Sequence, residues 1–393
     1  MAPPSRDELI ARAAALAPVL RKRAPETERL RRIPDQTIAD LHNAGLWRIL
    51  RPERFGGYLT DLGVIIEIST ELGRGCASTA WVYINLVAHN WMLPMWPAGA
   101  EDDVWGENPN ALIGSTLVFP AGRLEPVDGG YRFSGRWPYA SGVDASDWIM
   151  LGAMAQGAGP EGKPAARIVT VRVADIEIID TWHVSGLVGT GSKDVACEGL
   201  FVPQHMVFDP TLAREGYTPT VMSIPGDAYR LPLFPFIGHL VAGPMLGIAR
   251  GAYEDFLEKM RSQVSIYNRS RVADHTTVQM KIAEAGVLID TASLLLRENI
   301  REAHRLVEGG QRPTLLDRAR WRRDASHAGG VCVRAVDLLY SVSGATANYL
   351  DNELQRRFRD IHAAAAQIHL SWDINAPEFG RVAVGLPPAN PIL

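Results

Sequence analysis

The sequence predicts an α+β protein made of an amino-terminal helical domain (1–110), a central antiparallel β domain (111–225) and a carboxy-terminal four-helix bundle (226–393). Apolar residues recur at helical spacing through the first segment and give way, near Ala111, to short runs broken by Gly, Pro, Asp and Asn. Long helical patterns return after Pro235. With no internal repeat and no low-complexity linker, the three segments are expected to share interfaces.

Ser5 followed by Glu8 has the pattern of a helix capping box, and Leu9, Ala13, Leu16 and Leu20 then line one face. Pro34 suits a first helical turn, and Gly45 closes the run IADLHNAGL. After the loop RPERFGG, residues Leu62, Ile65, Ile66, Ser69 and Leu72 share a helical face. The next run, ASTAWVYINLVAHNWML, is small or apolar nearly all round and reads as a buried helix. ALIGSTLVF, GYRFSGRW, DWIMLGAM, ARIVTVRV and ACEGLFV are strand candidates. GPMLGIARGAYEDFLEKM, the stretch from His275 to Gly309, and the stretch from Thr314 to Gly344 read as bundle helices. The arginine-rich run from Arg318 to Asp324 is expected to be a solvated or subunit-contact face.

The chain has 393 residues, 47% hydrophobic and 21% charged, with 40 basic against 44 acidic side chains. A net charge of -4 gives no positive field to recruit nucleic acid or an anionic membrane, which leaves a small molecule as the expected partner. Cys76, Cys197 and Cys332 are odd in number, far apart and without a CxxC pair, so neither a disulfide framework nor a zinc site is expected. The amino-terminal segment lacks the apolar core of a signal peptide, and no stretch reaches the roughly 20 apolar residues of a membrane span. A cytoplasmic location is the expectation.

GLVGTGSKD resembles a phosphate loop only superficially, because Gly191 is followed by Ser192 rather than by Lys. GxGxxG, HExxH and GxSxG are all absent from the sequence, which removes the nicotinamide Rossmann, zincin and α/β-hydrolase readings. Flavin binding outside the Rossmann fold stays open.

The order of helices, sheet and helices resembles the acyl-CoA dehydrogenase fold. GRWPYASGVDASDWIMLGAM, TWHVSGLVGTGSKDVACEGLFVP and LQRRFRDIHAAAAQIH resemble a particular branch of it, the two-component flavin-dependent hydroxylases typified by p-hydroxyphenylacetate hydroxylase. The resemblance spans essentially the whole chain. It implies reduced flavin (FADH2 or FMNH2) supplied by a separate NAD(P)H:flavin reductase, O2 as cosubstrate, a flavin C4a-hydroperoxide, and transfer of one oxygen atom to a phenolic or indolic substrate. It also implies a homotetramer assembled through the bundle, and no metal. Dehydrogenases of this fold commonly carry a Glu base shortly after an Arg-Asp pair. Here Arg359 and Asp360 are followed by IHAAAAQIHLSWD, which offers histidines and no Glu. Acyl-CoA dehydrogenation, N- or S-oxygenation on the same fold, and non-catalytic flavin binding are the alternatives.

His89, among apolar and aromatic neighbours, reads by itself as a core histidine bonded to a backbone carbonyl. The resemblance makes it the residue that meets the substrate hydroxyl, with Ser115 as a second contact, although a one-residue error would exchange Ser115 for Thr116. It also sets Trp137, Tyr139, Ala140, Ser141 and Gly142 beside the flavin ring, with Ser141 near N5, where the alternative is a turn chosen for backbone geometry. Thr190, Gly191, Ser192 and Lys193 would meet the ribityl chain or phosphate, or form a plain loop. His369 matches the family's active-site histidine, and His362 is expected on the same helical face, seven residues earlier, at the surface or a subunit contact. Trp91, Trp137 and Phe236 are the expected apolar walls.

Overall fold

The computed structural model describes residues 3–58, 60–214, 226–264 and 269–390. Ser5 caps helix α1 (Arg6–Leu30) reciprocally, accepting from the Glu8 amide while its own amide donates to the Glu8 carboxylate at 2.7 Å. Helices α2 (Asp35–Asn43), α3 (Leu62–Gly75), α4 (Ala77–Met92) and α5 (Ala100–Trp105) follow. The five apolar-face positions predicted for α3 are all buried. In α4 every residue but Asn85 is buried, as the near-continuous apolar character of that run requires.

The sheet contains β1 (Ile113–Thr116), β2 (Gly122–Val127), β3 (Gly130–Ala140), β4 (Trp148–Ala155), β5 (Ala165–Arg172), β6 (Glu177–Ile179), β7 (Lys193–Pro203) and β8 (Val207–Phe208). Their order is β6-β7-β3-β2-β4-β5-β8, with β1 also beside β4. The expectation of an antiparallel sheet needs correction, because β1 and β2 both pair with β4 in parallel. These two strands run one after the other along the same edge of β4, separated by a 3-10 turn at Phe119–Ala121. Alternation within a run reveals a strand but says nothing of its neighbour's direction.

Trp137, on β3, is fully buried inside this sheet region. Its indole N–H donates to the Gly152 carbonyl at 2.7 Å, and its ring lies so close to Gly135 that a Cβ there would sit 2.7 Å from it. The β3–β7 register is irregular on either side of Trp137, between Phe133 and Gly135 and between Trp137 and Ala140. Tyr139, in that second irregularity, adopts φ 67°.

The carboxy-terminal bundle comprises α6 (Leu233–Met260), α7 (Thr276–Glu308), α8 (Leu315–Ser341) and α9 (Glu353–Ala365), with α10 (Trp372–Ala383) packed on α8. Helix α6 starts ten residues before the predicted Gly243, carrying Pro235 in its first turn, where the ring breaks no helical hydrogen bond. It crosses α3 at backbone contact: a Cβ on Gly247 would lie 2.3 Å from the Thr70 carbonyl. Among the described residues α6 is also the one helix long and apolar enough to cross a membrane, and 89% of its apolar window is buried inside the protein.

The run from Arg318 to Asp324 is not the solvated face expected. Arg318, Arg322 and Asp324 are buried, and Asp324 accepts from Asn299 on α7 (3.1 Å) and from Arg323. Alternating charges inside one helix look alike whether water or neighbouring helices answer them.

Arg357 of α9 joins the bundle to the amino-terminal helices. Buried, it donates to Asp255 of α6 at 2.8 Å and to the Gly73 and Arg74 carbonyls at the end of α3 (3.3 and 2.6 Å). Without Arg357 the Gly73 and Arg74 carbonyls lose a donor and Asp255 is left with Arg21 alone (2.8 Å), so Arg357→Met should lower unfolding stability by about 2 kcal/mol in chemical denaturation, against under about 0.5 kcal/mol for the exposed Arg301→Met.

Candidate active site

A cavity of about 550 Å³ opens where α4, β1, the turn after β3, the 187–192 loop, α6 and the segment after α9 converge. Trp81, Asn85, Ala88, His89 and Met92 present one helical face of α4 to it, while Leu233, Ile237, Leu240 and Val241 do the same from α6. Among the described residues that line it there is no Asp, Glu, Lys or Arg.

His89 is buried, and its Nδ1 lies 2.6 Å from the Ile113 carbonyl on β1. A carbonyl can only accept, so Nδ1 carries the proton and Nε2 keeps its lone pair. Burial lowers the imidazole to about 4, so the ring is neutral at pH 7. Nε2 has no hydrogen-bond partner among the described residues. The core-histidine reading and the cavity reading therefore hold together, one for each ring nitrogen.

Ser115 and Thr116 both border the cavity. Thr116 donates its hydroxyl to the Pro138 carbonyl at 2.7 Å, which leaves Ser115 with the uncommitted hydroxyl.

Across from α4, Trp81 Nε1 donates to Ser141 Oγ at 3.3 Å, and Ser141 Oγ lies 2.8 Å from Ser192 Oγ. Ser192 Oγ is 2.7 Å from Thr190 Oγ1, which donates to the Leu187 carbonyl at 2.8 Å. The turn that holds Ser141 is fastened to this loop by the Gly142 amide, which donates to the Thr190 carbonyl at 2.9 Å. Tyr139 is largely exposed at the rim, edge to face with Trp182 at 6.4 Å.

His369 enters from the opposite side. The prediction that it shares a helical face with His362 is overturned, because α9 ends at Ala365 and His369 sits in a separate 3-10 turn, Ile368–Leu370. Gln367 opens that turn by accepting the His369 amide at 2.6 Å. Asn375, fully buried on α10, donates to the His369 and Ser371 carbonyls (3.2 and 2.8 Å) and accepts from Arg322 Nε at 3.1 Å. Burial and the Arg322 charge push His369 down to about 3, so it too is neutral. His362 faces away, 2.9 Å from Asp337 on α8.

The structure thus gathers His89, Trp91, Ser115, Tyr139, Ser141, Thr190, Ser192 and His369 around one space and leaves the other predicted residues outside it. Trp137 and Ala140 are buried in the sheet. Phe236 lies on the far side of α6, packed on Trp321 (4.9 Å) and His239 (5.1 Å). Gly191 adopts φ 54° against Asp144, which also takes the Lys193 ammonium at 2.6 Å. Trp81, Asn85, Trp182, Gln367 and Ile368 line the cavity without having been predicted. Stepping back from His89 by four and eight residues reaches Asn85 and Trp81, so helical spacing carried a signal for those two.

This arrangement defines an acyl-CoA dehydrogenase-type scaffold whose usual carboxylate base is missing from the described lining. The family model for the acyl-CoA dehydrogenase carboxy-terminal domain matches residues 239–372. The FADH(2)-dependent resorcinol hydroxylase oxygenase component of Rhizobium sp. is 34% identical over 389 residues, covering 97% of this chain and 95% of the relative. The crystal structure of the HsaA monooxygenase from M. tuberculosis superposes with a TM-score of 0.93 at 31% identity, covering 99% of this chain and 100% of that one. XiaF from Streptomyces sp., in complex with FADH2 and glycerol, gives a TM-score of 0.92 at 28% identity over 99% of this chain and 98% of that one. The chain belongs to the flavin-dependent monooxygenases, as an oxygenase component.

A histidine whose folded pKa lies below its unfolded value takes up protons preferentially on unfolding, so stability should fall as pH drops from about 6.5 toward 4. His89→Gln should flatten that part of the profile, and nitrogen-15 spectra of the wild type should show the neutral Nδ1–H tautomer of His89 at pH 6; a protonated ring at that pH contradicts the assignment.

Proposed function

We propose that the cavity holds a reduced flavin beside Ser141 and a small phenolic or indolic substrate between His89, Ser115 and His369. The observation that carries this reading is the lining itself: two neutral imidazoles and a set of hydroxyls, with no carboxylate among the described residues to abstract the α-proton of an acyl thioester. The residues fit the cofactor. Ser141 has an oxygen turned to the cavity, Leu187, Tyr139 and Trp182 offer apolar and aromatic surface, and about 550 Å³ lies within the range of roughly 300–1,000 Å³ typical of ligand sites. When bound, the reduced flavin supplies the electrons that activate O2 for transfer of one oxygen atom.

The chain's own groups do the rest. His89 Nε2 accepts the hydrogen bond of a substrate hydroxyl, which shifts electron density into the aromatic ring and favours attack on an electrophilic oxygen. Ser115 supplies a second anchor to the same hydroxyl or its neighbour. His369, neutral and held by the Gln367 and Asn375 contacts, passes a proton to or from oxygen on the other side. Trp91, Met92, Leu233 and Leu240 keep water from the reacting atoms.

The names of the resorcinol hydroxylase and of the XiaF complex favour FADH2 over FMNH2. A separate NAD(P)H:flavin reductase supplies it, as the designation of an oxygenase component implies. Exposed apolar residues on the bundle, among them Met280, Val287 and Leu294 spaced seven apart on α7, suit burial in a homotetramer. Three unpaired thiols suit a cytoplasmic enzyme.

Mixing the anaerobic complex of protein and FADH2 with O2 and a panel of phenols and indoles tests the proposal. Hydroxylated product should form in near proportion to FADH2 consumed, and His89→Ala and His369→Ala should each lower its rate by about 10²-fold or more. Release of hydrogen peroxide alone, with every substrate and in the wild type, contradicts it.

A further inference from the structure

The hydroxyl chain behind Ser141 has only one arrangement of its protons. Each hydroxyl owns a single hydrogen and can accept more than one bond. The Leu187 carbonyl can only accept, so the 2.8 Å contact from Thr190 uses the Thr190 hydrogen. The 2.7 Å contact between Thr190 and Ser192 must then be donated by Ser192, and the 2.8 Å contact between Ser192 and Ser141 must be donated by Ser141. Trp81 Nε1 has a hydrogen and no acceptor capacity, so it fills one of the two acceptor positions on Ser141. Ser141, Ser192, Thr190 and Trp81 are all at least nine-tenths buried, so bulk water does not readily reverse the order. The oxygen of Ser141 therefore faces the cavity with one acceptor position left and no hydrogen to give.

We infer that Ser192 and Thr190 are positioning residues that fix Ser141 as an acceptor and thereby make the site selective for the redox state of its flavin. This rests on the reading of the cavity as a flavin site. N5 of a reduced flavin carries a hydrogen and pairs with such an acceptor, whereas N5 of an oxidised flavin is itself an acceptor and meets Ser141 lone pair to lone pair. An unmade bond in a buried site is costly, so the chain favours the reduced ring and opposes retention of the oxidised one. Selectivity thus originates in the Leu187 carbonyl, three hydrogen bonds from the residue that meets the ligand.

Dissociation constants for reduced and oxidised FAD, measured anaerobically and aerobically by flavin fluorescence or absorbance, test this without turnover. The wild type should bind the reduced form more tightly. Ser192→Ala removes the acceptor for the Ser141 hydrogen, which can then turn to the cavity. Reduced FAD should bind more weakly and oxidised FAD more tightly, lowering the ratio about tenfold and the potential of the bound two-electron couple by about 30 mV. Thr190→Val, nearly isosteric, breaks the same chain one link further away and should shift the ratio in the same direction. Ser192→Thr, which keeps the hydroxyl, should restore it. Parallel weakening of both redox forms, or an unchanged ratio, in both Ser192→Ala and Thr190→Val overturns the inference. Failure of the wild type to bind either form overturns the flavin reading instead.

Discussion

A polar group buried without a partner costs roughly 1–3 kcal/mol, and helix α4 exposes the consequence of that constraint throughout the molecule. It lies between the amino-terminal helices, the sheet and α6, so its polar side chains look for partners in whatever packs against them, and most find one, the buried Thr79 hydroxyl being an exception. Tyr83 donates to the Leu46 carbonyl, Asn90 to the Trp47 and Ile49 carbonyls, Trp91 to the Ala228 carbonyl ahead of α6, His89 to Ile113 on β1, and Trp81 to Ser141 after β3. Five side chains on one helix thus fix the relative positions of the chain's three segments. The cavity is the space left where two of these bonds, from Trp81 and His89, reach the sheet from the same helical face.

Charge is managed in a complementary way. Charged groups beside the lining residues are bound outside the cavity: Lys193, next to Ser192, to Asp144, Arg322 to Asn375, and Asp360 to the Leu187 amide at 2.7 Å. Asp360 is buried enough that its carboxyl is raised to about 6, yet it serves the loop that holds the hydroxyl chain and does not line the cavity. The described residues that line it are neutral, with hydrogen-bond polarity set by backbone carbonyls at Ile113 and Leu187. Such fixed dipoles act strongly in a water-poor space and need no rearrangement during a reaction.

The layered order of helices, strands and helices was legible because apolar periodicity follows directly from burial, as α3 and β3 illustrate. That His89 and Ser141 line one cavity was legible too, Ser141 through the long motif GRWPYASGVDASDWIMLGAM and His89 through its match to the similar hydroxylases. Strand direction was not, since β1 and β2 look the same whichever way β4 runs. Phe236 and Trp137 show a second limit: large apolar residues beside a site are equally suited to the core, and only the handedness of packing on α6 and β3 decides. His362 and His369 show a third. Seven residues suggest one helical face, but Gln367 captures the His369 amide and starts a new turn, a local competition that periodicity does not register. Trp182 reaches the cavity from a distant loop, where no spacing rule connects it to His89, and Ile368 arrives with the turn that carries His369.

On the proposed reading, one cavity seats both reactants between a hydroxyl acceptor and a neutral imidazole. A crystal structure of the protein grown anaerobically with FADH2 and a phenol tests it most directly. Flavin N5 should lie within hydrogen-bond distance of Ser141 Oγ, and the phenol oxygen within hydrogen-bond distance of His89 Nε2. A flavin ring seated away from Ser141, or a phenol whose hydroxyl faces away from His89, would contradict it.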